Sequence, residues 1–87
     1  MKASHKQITR LLNTAKGQIN GILKMIEEDQ YCIDISNQIM AVEGVLKKAN
    51  QEVIKAHLEH CVKDAVENGD VKEKINEIII TINKLTK

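Results

Sequence analysis

The sequence contains no proline, no tryptophan and no phenylalanine, and Tyr31 is its single aromatic residue of the Phe/Trp/Tyr type. Without proline, nothing in the chain obliges a helix to break. Without large aromatics, the residues that favour strands are reduced to β-branched ones. There are only two cysteines, so disulfides could supply one staple at most. No acidic residue occurs before Glu27, whereas Lys2, Lys6, Arg10, Lys16 and Lys24 all fall within that stretch, with His5 beside them. No apolar run approaches the length needed to span a bilayer, and Met1–Arg10 is polar, unlike a secretory signal. The expected setting is therefore a reducing cytoplasm, with no membrane association, where paired cysteines more often serve metal or redox chemistry than stapling.

What is present points to helices packed on helices. Of the 87 residues, 43% are hydrophobic and 29% charged, with a formal net charge of +1. A chain of this length makes one small domain, residues 1–87, that buries only about 60–65% of its extended surface and commonly needs a metal or a partner subunit. The apolar spacing predicts an all-α fold of three helices. The first runs from about Ser4, a candidate N-cap, to about Glu28, with Ile8, Leu11, Leu12, Ala15, Ile19, Ile22, Leu23 and Ile26 on one face. Residues 27–30 break the pattern. The second runs from about Cys32 to about Glu67, with only Gly44 as a weak point, and Glu67-Asn68-Gly69-Asp70 is the clearest turn signal. The third covers about 71–86, with Ile75, Ile78, Ile79, Ile82 and Leu85 inward. Strand character is confined to the β-branched run Ile78–Ile80.

The second helix is the informative element. At the standard rise it is on the order of 50 Å long, too long for two shorter helices to cover. The apolar residues left over call for a helix from another copy, and an antiparallel bundle is the expected form.

Cys32, His57 and Cys61 share one stripe of that helix, because steps of 25 and 29 residues return to within roughly 20° of the same direction. His57 and Cys61 are four apart and therefore neighbours. Cys32, however, lies about 38 Å from His57 along the axis. Two antiparallel copies centred near residues 46–47 would set Cys32 of one against Cys61 of the other, giving two identical sites related by a two-fold axis. Two thiolates and one imidazole suit Cu(I), whereas structural zinc takes four ligands. Taken singly, a free cysteine is commonly just core, and His5 and His60 are read as structural or solvent-facing. His60 points about 100° away from Cys61.

These residues carry a resemblance to the CsoR/RcnR family of bacterial repressors that covers essentially the whole chain. The stretches that carry it are Gly17-Gln18-Ile19-Asn20-Gly21-Ile22, Met25 through Cys32, Gln38-Ile39, and Val53 through Cys61. The order Cys, 24 residues, His, three residues, Cys resembles the ligand pattern of the copper-sensing branch. The resemblance implies Cys32, His57 and Cys61 as Cu(I) ligands. It further implies Tyr31 and Glu77 as residues that orient His57 and couple the metal to the third helix. It also implies a dimer-of-dimers tetramer and no helix-turn-helix. Nickel and cobalt sensors of the family carry histidine where Cys61 stands, and persulfide sensors carry asparagine where His57 stands.

The function this implies is a copper(I)-responsive transcriptional repressor, not an enzyme, that binds double-stranded operator DNA in the metal-free form. Many relatives carry arginines in the first helix and in the middle of the second, where this sequence has Leu11, Thr14 and Glu43. Lys6, Arg10, Lys16, Lys47 and Lys48 remain as candidate phosphate contacts. Two alternatives stay open. One is a thiol-reactive repressor in which Cys32 attacks a sulfane sulfur donor and Cys61 of the partner subunit resolves it. The other is a metal-binding helical scaffold without DNA binding.

Overall fold

A computed structural model describes residues 1–85, with side chains through Lys84. Residue 86 and the Leu85 side chain, which the sequence reading placed in the third helix and its inner face, lie outside what is described. The described residues form three helices, α1 (His5–Glu27), α2 (Cys32–Asn68) and α3 (Val71–Leu85). The β-branched run Ile78–Ile80 is helical within α3.

Each boundary has a local cause. Ser4 caps α1, its side-chain oxygen accepting from the Gln7 amide at 3.2 Å. At the other end the Asp29 amide donates to the Ile26 carbonyl and the Gln30 amide to the Met25 carbonyl, each at 3.0 Å, and Asp29 has φ +51°. That pairing satisfies carbonyls the helix leaves open, with aspartate in the left-handed position usually given to glycine. α2 ends at Gly69, with φ +74°, whose amide donates to the Ala65 carbonyl at 2.8 Å.

α1 packs on the first half of α2 through a small cluster of Ala15, Ile22 and Val42, flanked by Ile35 and Val45. The hairpin is antiparallel, since Lys2, Ala3, Ser4 and Gln7 lie beside Glu52, Lys55, Ala56 and Glu59. α3 docks on the other half, where Val62, Ala65 and Val66 meet Val71, Ile75 and Ile78. Ala49 and Ala65 are both buried but lie about 160° apart around α2, so its two partners occupy opposite sides.

The result is a row of helices. The molecule measures 58 × 27 × 11 Å, so it is one helix thick. Its radius of gyration, 17.6 Å, exceeds the roughly 12 Å expected of a compact 87-residue domain. Among the described residues no polar or charged residue is buried as a whole and no large side chain is fully enclosed. Within one chain the expected inner positions of α3 are only partly covered: Ile78 is half-buried, but Ile75, Ile79 and Ile82 are each about half exposed. Leu12, Ile19, Leu23 and Ile26 of α1, and Ile39 and Leu46 of α2, are likewise exposed. Ile19, Leu23, Ile39 and Leu46 line one apolar groove over Ile22 and Val42, with Glu43 at its edge.

Candidate metal centre and nucleic-acid interface

Three donor side chains converge where α3 crosses the second half of α2. His57, Cys61 and Glu77 offer one imidazole nitrogen, one sulfur and one carboxylate oxygen, all within 4.8 Å of one another. His57 and Cys61 are adjacent because they are one helical turn apart. Glu77 reaches them from α3, one oxygen to each.

The hydrogen bonds assign the imidazole's chemistry. His57 Nε2 lies 2.7 Å from Glu77 Oε1. The Glu77 carboxyl is held below the ordinary carboxylate range, first by that bond and then by the one from Cys61, so it is ionised and can only accept. The imidazole therefore donates through Nε2, which makes Nδ1 the nitrogen that would offer its lone pair to a metal. Cys61 donates its thiol proton to Glu77 Oε2 at 3.6 Å. Its side chain is 4% exposed, and burial first, then the Glu77 charge, push its thiol up. Lys74 acts the other way on Cys61 and sits 3.7 Å from Glu77 Oε2.

Cys32 is exposed at the first position of α2 and is not part of this cluster. It lies about 44 Å from Cys61 along the helix, on the same stripe. Tyr31 stands beside Cys32, 65% exposed, and is equally remote from His57 within one chain. Of the pair expected to orient His57, only Glu77 reaches it from the same chain. The donor set is chemically suited to a soft ion: a buried thiol and a pre-oriented imidazole, with an exposed second thiol on the same stripe. His5 and His60 are exposed and, among the described residues, outside the donor cluster.

Lys6, Arg10, Lys16, Lys47 and Lys48 are all exposed. Lys6 and Arg10 line a shallow groove with Ser4 and Gln7. They share the outward face of α1 with Lys24, within about 40°, a residue the DNA-contact set read from the sequence left out although its spacing shows it. Lys47 lies about 160° around α2 from Ala49, on the side away from α1. One chain therefore does not gather the five cations into a single patch.

A helical row with an N/S/O donor cluster at one helix crossing and exposed cations on α1 and α2 is the architecture of a small metalloregulator. The family described as metal-sensitive transcriptional repressor matches residues 4–84, and the chain belongs to that family. It is 41% identical over 81 residues to the copper-sensing transcriptional repressor CsoR of Bacillus subtilis strain 168, covering 93% of this chain and 80% of that protein. It is 37% identical over 79 residues to the CsoR of Mycobacterium tuberculosis strain H37Rv, covering 91% of this chain and 66% of that protein. Among solved structures, the Cu(I)-bound CsoR of Geobacillus thermodenitrificans NG80-2 superposes with a TM-score of 0.81 at 32% identity, over 94% of this chain and 85% of that one. The nickel-responsive regulator InrS superposes with a TM-score of 0.87 at 21% identity, over 98% and 96%, a likeness of fold alone.

Proposed function

We propose that this chain is a copper(I)-responsive transcriptional repressor, working in the cytoplasm as a homo-oligomer, that binds operator DNA when metal-free and releases it on binding Cu(I). The ligands are Cys61 and His57 of one subunit and Cys32 of another. The observation that carries this reading is the division of the donors. A buried thiol and an oriented imidazole sit at one end of α2, and an exposed thiol sits on the same stripe at the other end. An antiparallel pairing of two α2 rods joins the halves, and the groove of Ile19, Leu23, Ile39 and Leu46 supplies apolar surface on the same side. That the Bacillus and Mycobacterium relatives are copper-sensing repressors supports the choice of ion and of activity.

The thiolates of Cys32 and Cys61 and the His57 imidazole would hold Cu(I), a soft ion suited to such ligands. For the protein's part, Glu77 fixes the His57 tautomer and frees Nδ1, while Cys61 must give up the proton it shares with Glu77. Both changes bear on Glu77, which belongs to α3, so the state of the site biases how α3 sits on α2. With Tyr31 arriving beside Cys32 from the other subunit, the same imidazole would be contacted from two chains. The DNA surface is assembled from several subunits, since one chain leaves Lys6, Arg10 and Lys16 on a different side from Lys47. We take the assembly to be a dimer of dimers. In the thiol-reactive alternative Cys32 attacks and Cys61 resolves, and burial and the Glu77 charge, which push the Cys61 thiol up, slow that resolving step.

The test is a gel-shift titration of the metal-free protein on the DNA upstream of its own gene, with and without one equivalent of Cu(I) per subunit under reducing, anaerobic conditions. Retardation that Cu(I) abolishes is expected. Failure to retard even at low salt would refute the repressor reading, and retardation indifferent to Cu(I) would refute the copper response.

A further inference from the structure

Lys74 stands one turn before Glu77 on α3, and its ammonium lies 3.7 Å from Glu77 Oε2. The same oxygen accepts the Cys61 thiol proton at 3.6 Å. The shared oxygen puts the ammonium within about 7 Å of the sulfur, a range over which a unit charge is felt at protein surfaces. The stem of Lys74 lines the apolar groove between α2 and α3 with Val62, Val66 and Ile75, and the side chain is only 29% exposed. Packing of that stem directs the charged head to the site.

We infer that Lys74 is a specificity-determining residue of the centre: its fixed positive charge beside Cys61 and Glu77 selects for a monovalent ion over divalent ones. The inference rests on the metal-site reading above. Two physical effects act in the same direction. Repulsion between an ammonium and a bound cation scales with the cation's charge, so Zn(II) suffers twice what Cu(I) does. Zn(II) also seeks a fourth ligand, and carboxylate is a usual one. Glu77 is the third donor of the cluster, but Oε1 is held by His57 and Oε2 by Lys74 and Cys61. Lys74 thus keeps the carboxylate committed to its neighbours, where a three-coordinate ion has no need of it.

Lys74 also eases ionisation of Cys61, its positive charge opposing the effects of burial and of Glu77. That influence is common to every metal that displaces the thiol proton, so it cancels in the ratio of two metal affinities. One unit of ion charge at about 7 Å corresponds to roughly 3- to 50-fold in that ratio as the effective dielectric runs from bulk water to protein surface. Partial exposure and salt place the expectation near the lower half, about tenfold.

The experiment measures Zn(II) and Cu(I) affinities against competing chelators at one pH, for the full chain and its K74R, K74Q and K74E variants. The Zn(II)-to-Cu(I) affinity ratio should stay unchanged in K74R, rise about tenfold in K74Q and rise further in K74E, with the increments shrinking at high salt. Equal shifts for both metals would overturn the inference, reducing Lys74 to a residue that merely docks α3. So would K74R behaving like K74Q. Should K74E fail to fold, the K74R and K74Q pair decides. A wild-type protein that does not bind Cu(I) at all would instead refute the underlying metal-site reading, a result separable from any change in the ratio.

Discussion

The proposed division of the site between two chains makes a stoichiometric prediction. Cys32 and Cys61 are about 44 Å apart on one rigid helix, so no motion of a single folded chain joins them. A Cys32→Ala dimer lacks the first thiol at both sites, and a Cys61→Ala dimer lacks the second at both. When the two variants are mixed equally and allowed to exchange, about half of the dimers are mixed. In a mixed dimer one site takes Cys32 from one parent and Cys61 with His57 from the other, and is whole. The second site loses both thiols. High-affinity Cu(I) capacity should therefore return to about a quarter of the wild-type value, from near zero in either parent alone. The assay is Cu(I) titration against a tight chromogenic chelator before and after subunit exchange. Capacity that stays near zero after verified exchange would refute the antiparallel pairing. A Cys32→Ala parent that alone keeps full capacity would place the site within one chain, on His57, Cys61 and Glu77.

Sedimentation at micromolar concentration should give a dimer or larger, because the exposed Ile19, Leu23, Ile39 and Leu46 need cover; a folded 9.8 kDa monomer would contradict this. Tyr31→Phe and Glu77→Ala should bind Cu(I) nearly as wild type, yet the metal-driven loss of DNA affinity should shrink roughly fivefold or more in gel-shift titrations. Because Cys61 carries a proton that metal must displace, and its thiol lies above its ordinary value, apparent Cu(I) affinity should rise with pH across the neutral range, by about tenfold per unit for each proton released. Competition titrations between pH 6 and 8 would show the slope, and a flat profile would contradict the protonated thiol. Gly69→Ala, forced to φ +74°, should destabilise by about 1 kcal/mol in urea unfolding.

Local rules carried much of this structure. The three-four spacing of Ile8, Ala15 and Ile22 is enough to place α1 against α2, and Ser4 and Gly69 mark boundaries by their own chemistry. The adjacency of His57 and Cys61 follows from a step of four. Glu77 is different: nothing in the spacing of α3 aims it at His57, and only family resemblance pointed to it, since the approach depends on how α3 docks. Lys74 went unnoticed, although its step of three to Glu77 was visible. The half-exposed Ile75, Ile79 and Ile82 show the limit of periodicity, which marks a face as apolar without saying whether the same chain covers it.

Among the described residues α1 and α3 do not touch, and α2 alone lies between them. Such a row has two cooperative units in series, a hairpin and a docked helix, joined at Gly69. The docked helix can open as a separate unit while the hairpin stays closed, because none of its buried contacts are shared with Ala15 or Ile22. Each such opening takes Glu77 away from His57 and releases the imidazole to choose its tautomer. The free energy of that local opening then limits how much of the docking energy of α3 can be passed on from the site, so mutations in the Val62, Val66, Val71 and Ile75 groove would retune the metal-driven change in DNA affinity without altering a single ligand.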